Sequence, residues 1–469
     1  MSATHDLVVL GAGSGGYAAA LRAAQLGLSV ALVERDKLGG TCLHRGCIPT
    51  KAILHAAEVA DSVRDGAAFG VRAELQQIDA EAMLGYADRV VGGLHRGLSG
   101  LISSRGIEVV TGTGRLTTGD QVSVVVDTDD GERTLTGRHT VLATGSAPRS
   151  LPGIDIDGTR VITSDHALRL TSLPARAIVL GGGVIGAEFA SAWRSLGVEV
   201  TVVEALDRLL PTEEPELSRT VHRAFTKRGI HVLTGTPAEH VDVTEQGVTL
   251  RAGGTDHTAN LLLVAVGRGP VSDGLGYAEA GIELDRGCVV VDDRLTTALP
   301  SVRAVGDLVA GPQLAHRGFG HGIFVAEDVA HALDRLPEPP LPPVADHQVP
   351  RVTFCDPQVA SVGLTEAQAR EHHGDAVETI TYDLAGVGRA QILQTRGLVK
   401  LVRRTDGPIV GVHLVGAGVS ELIGEAQLIT GWEAYPEDLS GFSHAHPTLD
   451  EALGEAALAL AGKPLHSHG

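Results

Sequence analysis

Two segments of this chain repeat one grammar, and no other feature limits its fold as tightly. The apolar run Leu7 to Leu10 ends in Gly11-Ala12-Gly13-Ser14-Gly15-Gly16, continues as an Ala-rich helical stretch to Leu26, and returns as a strand from Leu28 to Val33 closed by Glu34. From Ile178 the order recurs: Ile178-Val179-Leu180, then Gly181-Gly182-Gly183-Val184-Ile185-Gly186, a helix through Leu196, a strand from Val198 to Val203, and Glu204. First glycine and closing carboxylate stand 23 residues apart in both copies. In a chain with 60 glycines a single such run carries little weight. Two runs in strand-turn-helix-strand context, each with its acidic terminus at the same distance, predict two dinucleotide-binding units. Glycines let the backbone approach a pyrophosphate, helix N-terminal amides bind it, and the carboxylate accepts from ribose hydroxyls. The competing reading of each glycine is an ordinary tight turn.

Between and after these units lie further apolar strands that end at glycine, as buried parallel strands do: Val141 to Gly145, Leu261 to Gly267, and Val302 to Gly306-Asp307. Six prolines between 337 and 350 read as a stiff linker. Beyond it, strand-like Arg351 to Phe354, Leu398 to Val402 and Ile409 to Leu414 alternate with helical Glu366 to His372 and Ser420 to Trp432, without a glycine fingerprint. That pattern fits an α+β interface domain.

A formal charge of −19 repels nucleic acid and anionic membranes. The densest basic stretch, Lys400 to Arg404, is short and reads as a solvated strand face. No uninterrupted apolar run approaches the ~18 residues of a membrane helix. The apolar start lacks the basic residues of a secretion signal and carries Asp6, so the cytoplasm is the expected compartment.

The four cysteines, Cys42, Cys47, Cys288 and Cys355, are too few for a disulfide scaffold. Two of them sit in Cys42-Leu43-His44-Arg45-Gly46-Cys47-Ile48-Pro49-Thr50-Lys51, just beyond Glu34. A pair beside a dinucleotide site can cycle between dithiol and disulfide and so accept two electrons at once. Zinc is the rival reading, with His44 and His55 close by. The spacing is wrong for CxxC ligand pairs and no second cysteine pair completes a site, so no metal is expected.

The CxxxxCIPTK run, the two glycine units and the terminal His446-Pro447-Thr448 together resemble the pyridine nucleotide-disulfide oxidoreductases over essentially the whole chain. The resemblance implies an α/β fold of two Rossmann-like dinucleotide-binding domains plus a C-terminal α+β dimerisation domain. The corresponding boundaries are 1–150 for the FAD-binding domain, 151–270 for the NAD-binding domain, 271–347 for a central domain completing the FAD site and ending in the linker, and 348–469 for the interface domain. It further implies that Gly11, Gly13, Gly16, Glu34, Lys51, Gly114, Thr144, Gly145, Asp307, Leu314, Ala315 and His316 bind FAD. Of these, Gly114 is expected by the adenine and Asp307 on the ribityl side. Gly181, Gly183, Val184, Ile185, Gly186, Glu204 and Gly267 would bind NAD.

By the same resemblance Lys51 and Glu188 form an ion pair beside the flavin, although Glu188 also reads as a first-turn helix carboxylate favoured by the dipole. One histidine among 21 carries little weight by itself. The box His446-Pro447-Thr448-Leu449-Asp450-Glu451 nevertheless resembles the family's HPTxxE, with His446 as base and Glu451 as its orienting partner. A base is needed because the thiolate, not the thiol, attacks a disulfide.

The implied activity is oxidation of protein-bound dihydrolipoyl groups, with Cys42, Cys47, FAD and NAD carrying the electrons. The expected partners are a second copy of the chain and the lipoyl-bearing acyltransferase subunits of 2-oxoacid dehydrogenase complexes or the glycine-cleavage H protein. Two alternatives stand beside it: reduction of a small disulfide such as that of glutathione or mycothiol, and a docking or scaffold subunit with vestigial chemistry. Small-disulfide reductases usually prefer NADP, whose 2′-phosphate Glu204 would repel, with Arg208 close enough to matter. One departure stands out. The family typically places Asn-Val between the cysteines, where this chain has His44-Arg45, and a cation there would lower a thiol pKa.

Overall fold

Leu7 to Leu10 is apolar at every position, so it must be covered on both faces. In the computed structural model, which describes residues 5–466, the strand His5–Leu10 lies between Val30–Glu34 and Gly131–Leu142, parallel to both. Glu108–Thr111 extends this sheet on one side, and Val302–Ala304 runs parallel to the end of Gly131–Leu142 on the other. Leu7 and Val9 join one apolar cluster with Ala20, Ala23, Phe324 and Val325, while Val8 and Leu10 join a second with Val124, Leu135 and Tyr277. The two-residue period of the strand divides its side chains between these layers.

The sheet belongs to one of two compact units, which runs to Ala52 and resumes over Glu81–Arg149 and Arg268–Val344. The other comprises Ile53–Ala80, Ser150–Gly267 and the chain from Ala345 onward. The helix Cys47–Asp65 starts in the first and finishes in the second. Its Asp61 accepts from Ser195 Oγ and stands 3.6 Å from the Arg228 guanidinium, which ties residues 53–80 to the second unit.

The second unit holds a parallel sheet in the order His231–Leu233, Glu199–Val203, Arg176–Leu180, Leu261–Val264, Val161–Ile162. It also holds an antiparallel sheet in the order Arg351–Thr353, Gln358–Gly363, Ile409–Gly416, Leu398–Arg404, Val377–Asp383. Helices Val419–Gly431 and Glu451–Leu460 contribute to the apolar cluster on that sheet. Among the described residues no helix is long and apolar enough to cross a membrane.

Strands end sooner than expected, at Leu142, Val264 and Ala304. Gly145, Gly267 and Gly306, a few residues beyond these ends, take left-handed φ of +71°, +111° and +67°, and after the first two the chain enters a separate antiparallel pair, Ser146–Pro148 with Arg268–Pro270.

Lys400 to Arg404 is the clearest correction. Leu398–Arg404 is an interior strand, and Lys400 is 3% exposed rather than solvated. Its Nζ stands 2.8 Å from Glu214, 2.8 Å from Glu366 and 3.3 Å from Glu216. Burial opposes the ammonium charge, but the bonds to Glu214 and Glu366 outweigh it and hold the lysine above its usual pKa. Arg403 is likewise engaged, by Glu378. Lys400→Met would strand the buried Glu214 carboxylate, and a loss of about 3–5 kcal/mol in urea unfolding is expected. Adding Glu214→Gln should recover part of it, because the uncompensated charge then disappears.

Candidate active site

The three glycines of each fingerprint occupy three different environments. Gly11 and Gly181 have φ of +102° and +110°, and a Cβ on either would fall 2.4 Å from a carbonyl oxygen, of Ala143 and Ala265 respectively. Gly16 and Gly186 each press on the preceding loop: a Cβ there would lie 1.8 Å and 1.9 Å from the carbonyl oxygens of Gly11 and Gly181. Gly13 and Gly183, in contrast, have nothing within 4 Å of the Cβ position. The first glycine thus makes the turn, the third lets the helix close on the strand, and the middle one leaves open space at the amino end of helices Ser14–Gln25 and Val184–Ser195. Unsatisfied helix amides facing open backbone are what a pyrophosphate fits.

The closing carboxylates do the same work in both copies. Glu34 accepts from Ala12 N at 2.8 Å and Asp36 N at 2.9 Å, and Glu204 from Gly182 N at 2.6 Å and Leu206 N at 2.7 Å. Each therefore clamps the glycine loop to the end of the second strand, and each oxygen keeps a further lone pair for a ribose hydroxyl. Arg208 donates to its own turn, at Pro211 O, 2.9 Å away.

In the first unit a second helix shares the site. A Cβ on Gly322 would meet Gly15 O at 2.2 Å, and one on Gly318 would meet Ser14 Oγ at 3.0 Å. Helix Ala315–Ala332 therefore lies hard against Ser14–Gln25, with the first turns side by side, and Leu314 caps it ahead of Ala315 and His316. Asp307 follows Gly306 in a short turn and accepts from Ser146 Oγ at 2.6 Å. Arg268 Nε in turn donates to Ser146 Oγ at 2.9 Å. Arg317 reaches back to the carbonyls of Gly306, Pro312 and Ala310.

Sequence reasoning named Asp307 but missed Ser146, which donates to it, Arg268, which donates to Ser146, and Arg317, which holds the neighbouring Gly306 carbonyl. The available signal was position, since Ser146 and Arg268 each directly follow a strand-ending glycine. Thr144 Oγ1 is engaged by Val271 O at 2.6 Å. Gly114 has a packing reason of its own, for a Cβ there would meet Leu10 Cδ1 at 2.4 Å.

Gly39 and Gly40, both at positive φ, turn the chain into the short helix Gly40–Arg45, and Gly46 passes it on to Cys47–Asp65. This brings Cys42 and Cys47 together as half-buried thiols in hydrogen-bonding contact. The bond to Cys47, burial and the Cys47 charge push the Cys42 thiol up, and the Lys51 ammonium opposes them. Cys47 begins its helix, where the dipole favours negative charge on sulfur.

The expected cation between the cysteines is not realised. Arg45 pairs with Asp36 at 2.8 Å, and His44 is 8% exposed, with Nε2 on Leu38 O at 2.9 Å. Burial pushes the His44 imidazole below its usual pKa, with His95 beside it adding to the effect. Lys51 is the cation that favours the Cys42 thiolate. His55 turns to Glu58, 3.2 Å away.

In the second unit His446 is exposed, and its Nδ1 meets Glu451 Oε1 at 2.8 Å. Glu451 opens helix Glu451–Leu460 and also accepts from Thr448 N at 2.9 Å. Burial raises its pKa, but the bonds from His446 and Thr448 prevail and hold it below the usual carboxylate value. An ionised carboxylate only accepts, so Nδ1 carries the proton and Nε2 is left as the basic nitrogen. Glu188 is the fifth residue of its helix, past the first turn, and is buried, with Oε1 accepting from Phe354 N at 2.9 Å.

Residues 5–322 match the family model described as pyridine nucleotide-disulphide oxidoreductase, and residues 349–457 match its dimerisation domain. The chain is 39% identical to a dihydrolipoyl dehydrogenase of Bacillus subtilis, with 99% of this chain and 100% of that relative covered. It is 38% identical to the mitochondrial dihydrolipoyl dehydrogenase of Pisum sativum, over 98% of this chain and 92% of that one. Among solved structures, LpdA from Mycobacterium tuberculosis superposes with a TM-score of 0.89 at 28% identity, covering 97% of this chain and 99% of the other.

Proposed function

The chain belongs to the pyridine nucleotide-disulphide oxidoreductase family, and from that premise we propose that it acts as a dihydrolipoyl dehydrogenase, oxidising dihydrolipoyl groups on partner proteins with NAD as final acceptor. The observation that carries this reading is the contact between Cys42 and Cys47 beside Lys51, within a unit whose glycine loop is left open at Gly13. Full-length relatives named dihydrolipoyl dehydrogenase support the substrate, and the dimerisation-domain match supports a homodimer.

His446 Nε2 takes the proton from a substrate thiol. The resulting thiolate attacks Cys42 Sγ, the Cys42–Cys47 bond breaks, and Cys47 leaves as a thiolate at its helix N-terminus. The second substrate sulfur then loses its proton, attacks its own partner in the mixed disulfide and expels Cys42, which takes up that proton as a thiol. The substrate has become a disulfide, two electrons poorer, and the cysteine pair a dithiol. FAD, when bound, supplies the two-electron link between that dithiol and the nicotinamide. Gly11, Gly13, Gly16, Glu34, Asp307 and the N-terminus at Ala315 would hold it, and Gly181, Gly183, Gly186 and Glu204 would hold NAD. The Lys51–Glu188 pair remains part of the proposal, as the charge balance beside the flavin.

A panel of dihydrolipoamide, glutathione disulfide and mycothiol disulfide, each with both nicotinamides, tests the reading. Dihydrolipoamide with NAD should be the preferred couple, and faster reduction of either small disulfide with NADPH would displace it. Glu204 should set the choice of nicotinamide, because its carboxylate suits a ribose hydroxyl and meets a like charge in a 2′-phosphate. In kcat/KM measurements Glu204→Arg should narrow or reverse the preference. Equal use of both cofactors by the unmodified protein would show that Glu204 has another task.

A further inference from the structure

Beside the His446–Glu451 pair lies a second imidazole–carboxylate system that the mechanism above does not use. His444 Nε2 meets Glu425 Oε1 at 3.0 Å, and Asp450 brings its carboxylate into the same group, with the polar atoms of all three within 4.8 Å of one another. The opposite side of the imidazole is fixed by a gap. Gly454 is buried inside helix Glu451–Leu460, and a Cβ there would fall 2.4 Å from His444 Nδ1. Glycine is the weaker helix former, so its use here makes room for the ring.

We propose that His444 is a positioning residue: wedged between the Glu425 carboxylate and the bare backbone of Gly454, it fixes the turn over residues 445–450 that presents His446. The inference rests on the proposed role of His446 as base in disulfide exchange. His444 faces Glu425 from helix Val419–Gly431, and Asp450 and Glu451 from the start of helix Glu451–Leu460, and the Glu425 bond raises its pKa. Burial and Glu425 push Asp450 up to about 6, and the His444 bond holds Glu425 low. Glu455, further along that helix, pairs instead with His466 beyond its end.

The test uses the full-length FAD-loaded dimer and compares turnover of dihydrolipoamide and of reduced dithiothreitol, which also needs a base, with NADH-to-dye transfer. Gly454→Ala and His444→Leu should each lower dithiol kcat by about tenfold or more, the scale of a displaced catalytic group, with NADH-to-dye transfer within about twofold of the unmodified protein. His444→Gln, which can still donate to Glu425, should keep more activity than His444→Leu. Combining Gly454→Ala with His444→Leu should cost no more than His444→Leu alone, because both remove one wedge.

Dithiol kcat within twofold of the unmodified protein in both single variants, or equal losses in dithiol and dye activity, would overturn the proposal. If dihydrolipoamide proved a poor substrate while the dithiothreitol effects appeared, the substrate reading would fail and the role of His444 would stand.

Discussion

Cys47→Ser should lower lipoamide turnover by at least ~10³-fold, the scale of losing a covalent catalytic group, while NADH-to-dye transfer through bound FAD persists. The reason is that attack on Cys42 needs a disulfide to open and a leaving sulfur to receive the charge. A serine hydroxyl forms no such bond and leaves poorly at neutral pH. Partial reduction of the unmodified protein should produce a long-wavelength thiolate-to-flavin absorbance, which Cys47→Ser should abolish.

Cys42→Ser separates the two roles. It should abolish turnover just as completely yet keep the absorbance, because Cys47, at the start of helix Cys47–Asp65, retains its thiolate. An unchanged band in Cys47→Ser would sink the assignment of Cys47 as the sulfur that faces the flavin.

Mixing Cys47→Ser subunits with His446→Gln subunits should restore activity that neither homodimer has. The proposal behind this is that each working site takes its cysteines from one chain and His446 of the partner subunit. His446 lies about 400 residues from Cys42, in the segment that matches the family's dimerisation domain. Under C2 symmetry a mixed dimer then has one site with both defects and one with neither. Statistical exchange makes about half of all dimers mixed, each with one of two sites intact, so recovery near a quarter of unmodified activity is expected. Demonstrated subunit exchange without recovery would place His446 in its own chain's site or out of the chemistry.

The parts of this protein legible in the sequence are those whose physics is local. A glycine needed for a left-handed turn, an open approach or a tight helix contact must be glycine whatever surrounds it, so Gly11, Gly13 and Gly16 and their counterparts announce their loops. Glu34 and Glu204 sit where a strand of fixed rise must end. Cys42 with Cys47, and His446 with Glu451, are near enough in the chain for a turn or a helix start to join them, and the structure does join them.

What tertiary structure alone decided are pairings between distant segments. Lys400 reads as a solvated charge until Glu214 and Glu366 arrive from other elements to bury it. Asp307 depends on Ser146 and Arg268, and His444 on Glu425 and on the absent side chain of Gly454. The His44 imidazole is held below its usual pKa by burial, which closes over it only in the folded unit. A residue type states which bonds a side chain is able to make. Which of them it makes depends on desolvation and on partners tens to hundreds of residues away, and those are set only when the sheets and helices have closed.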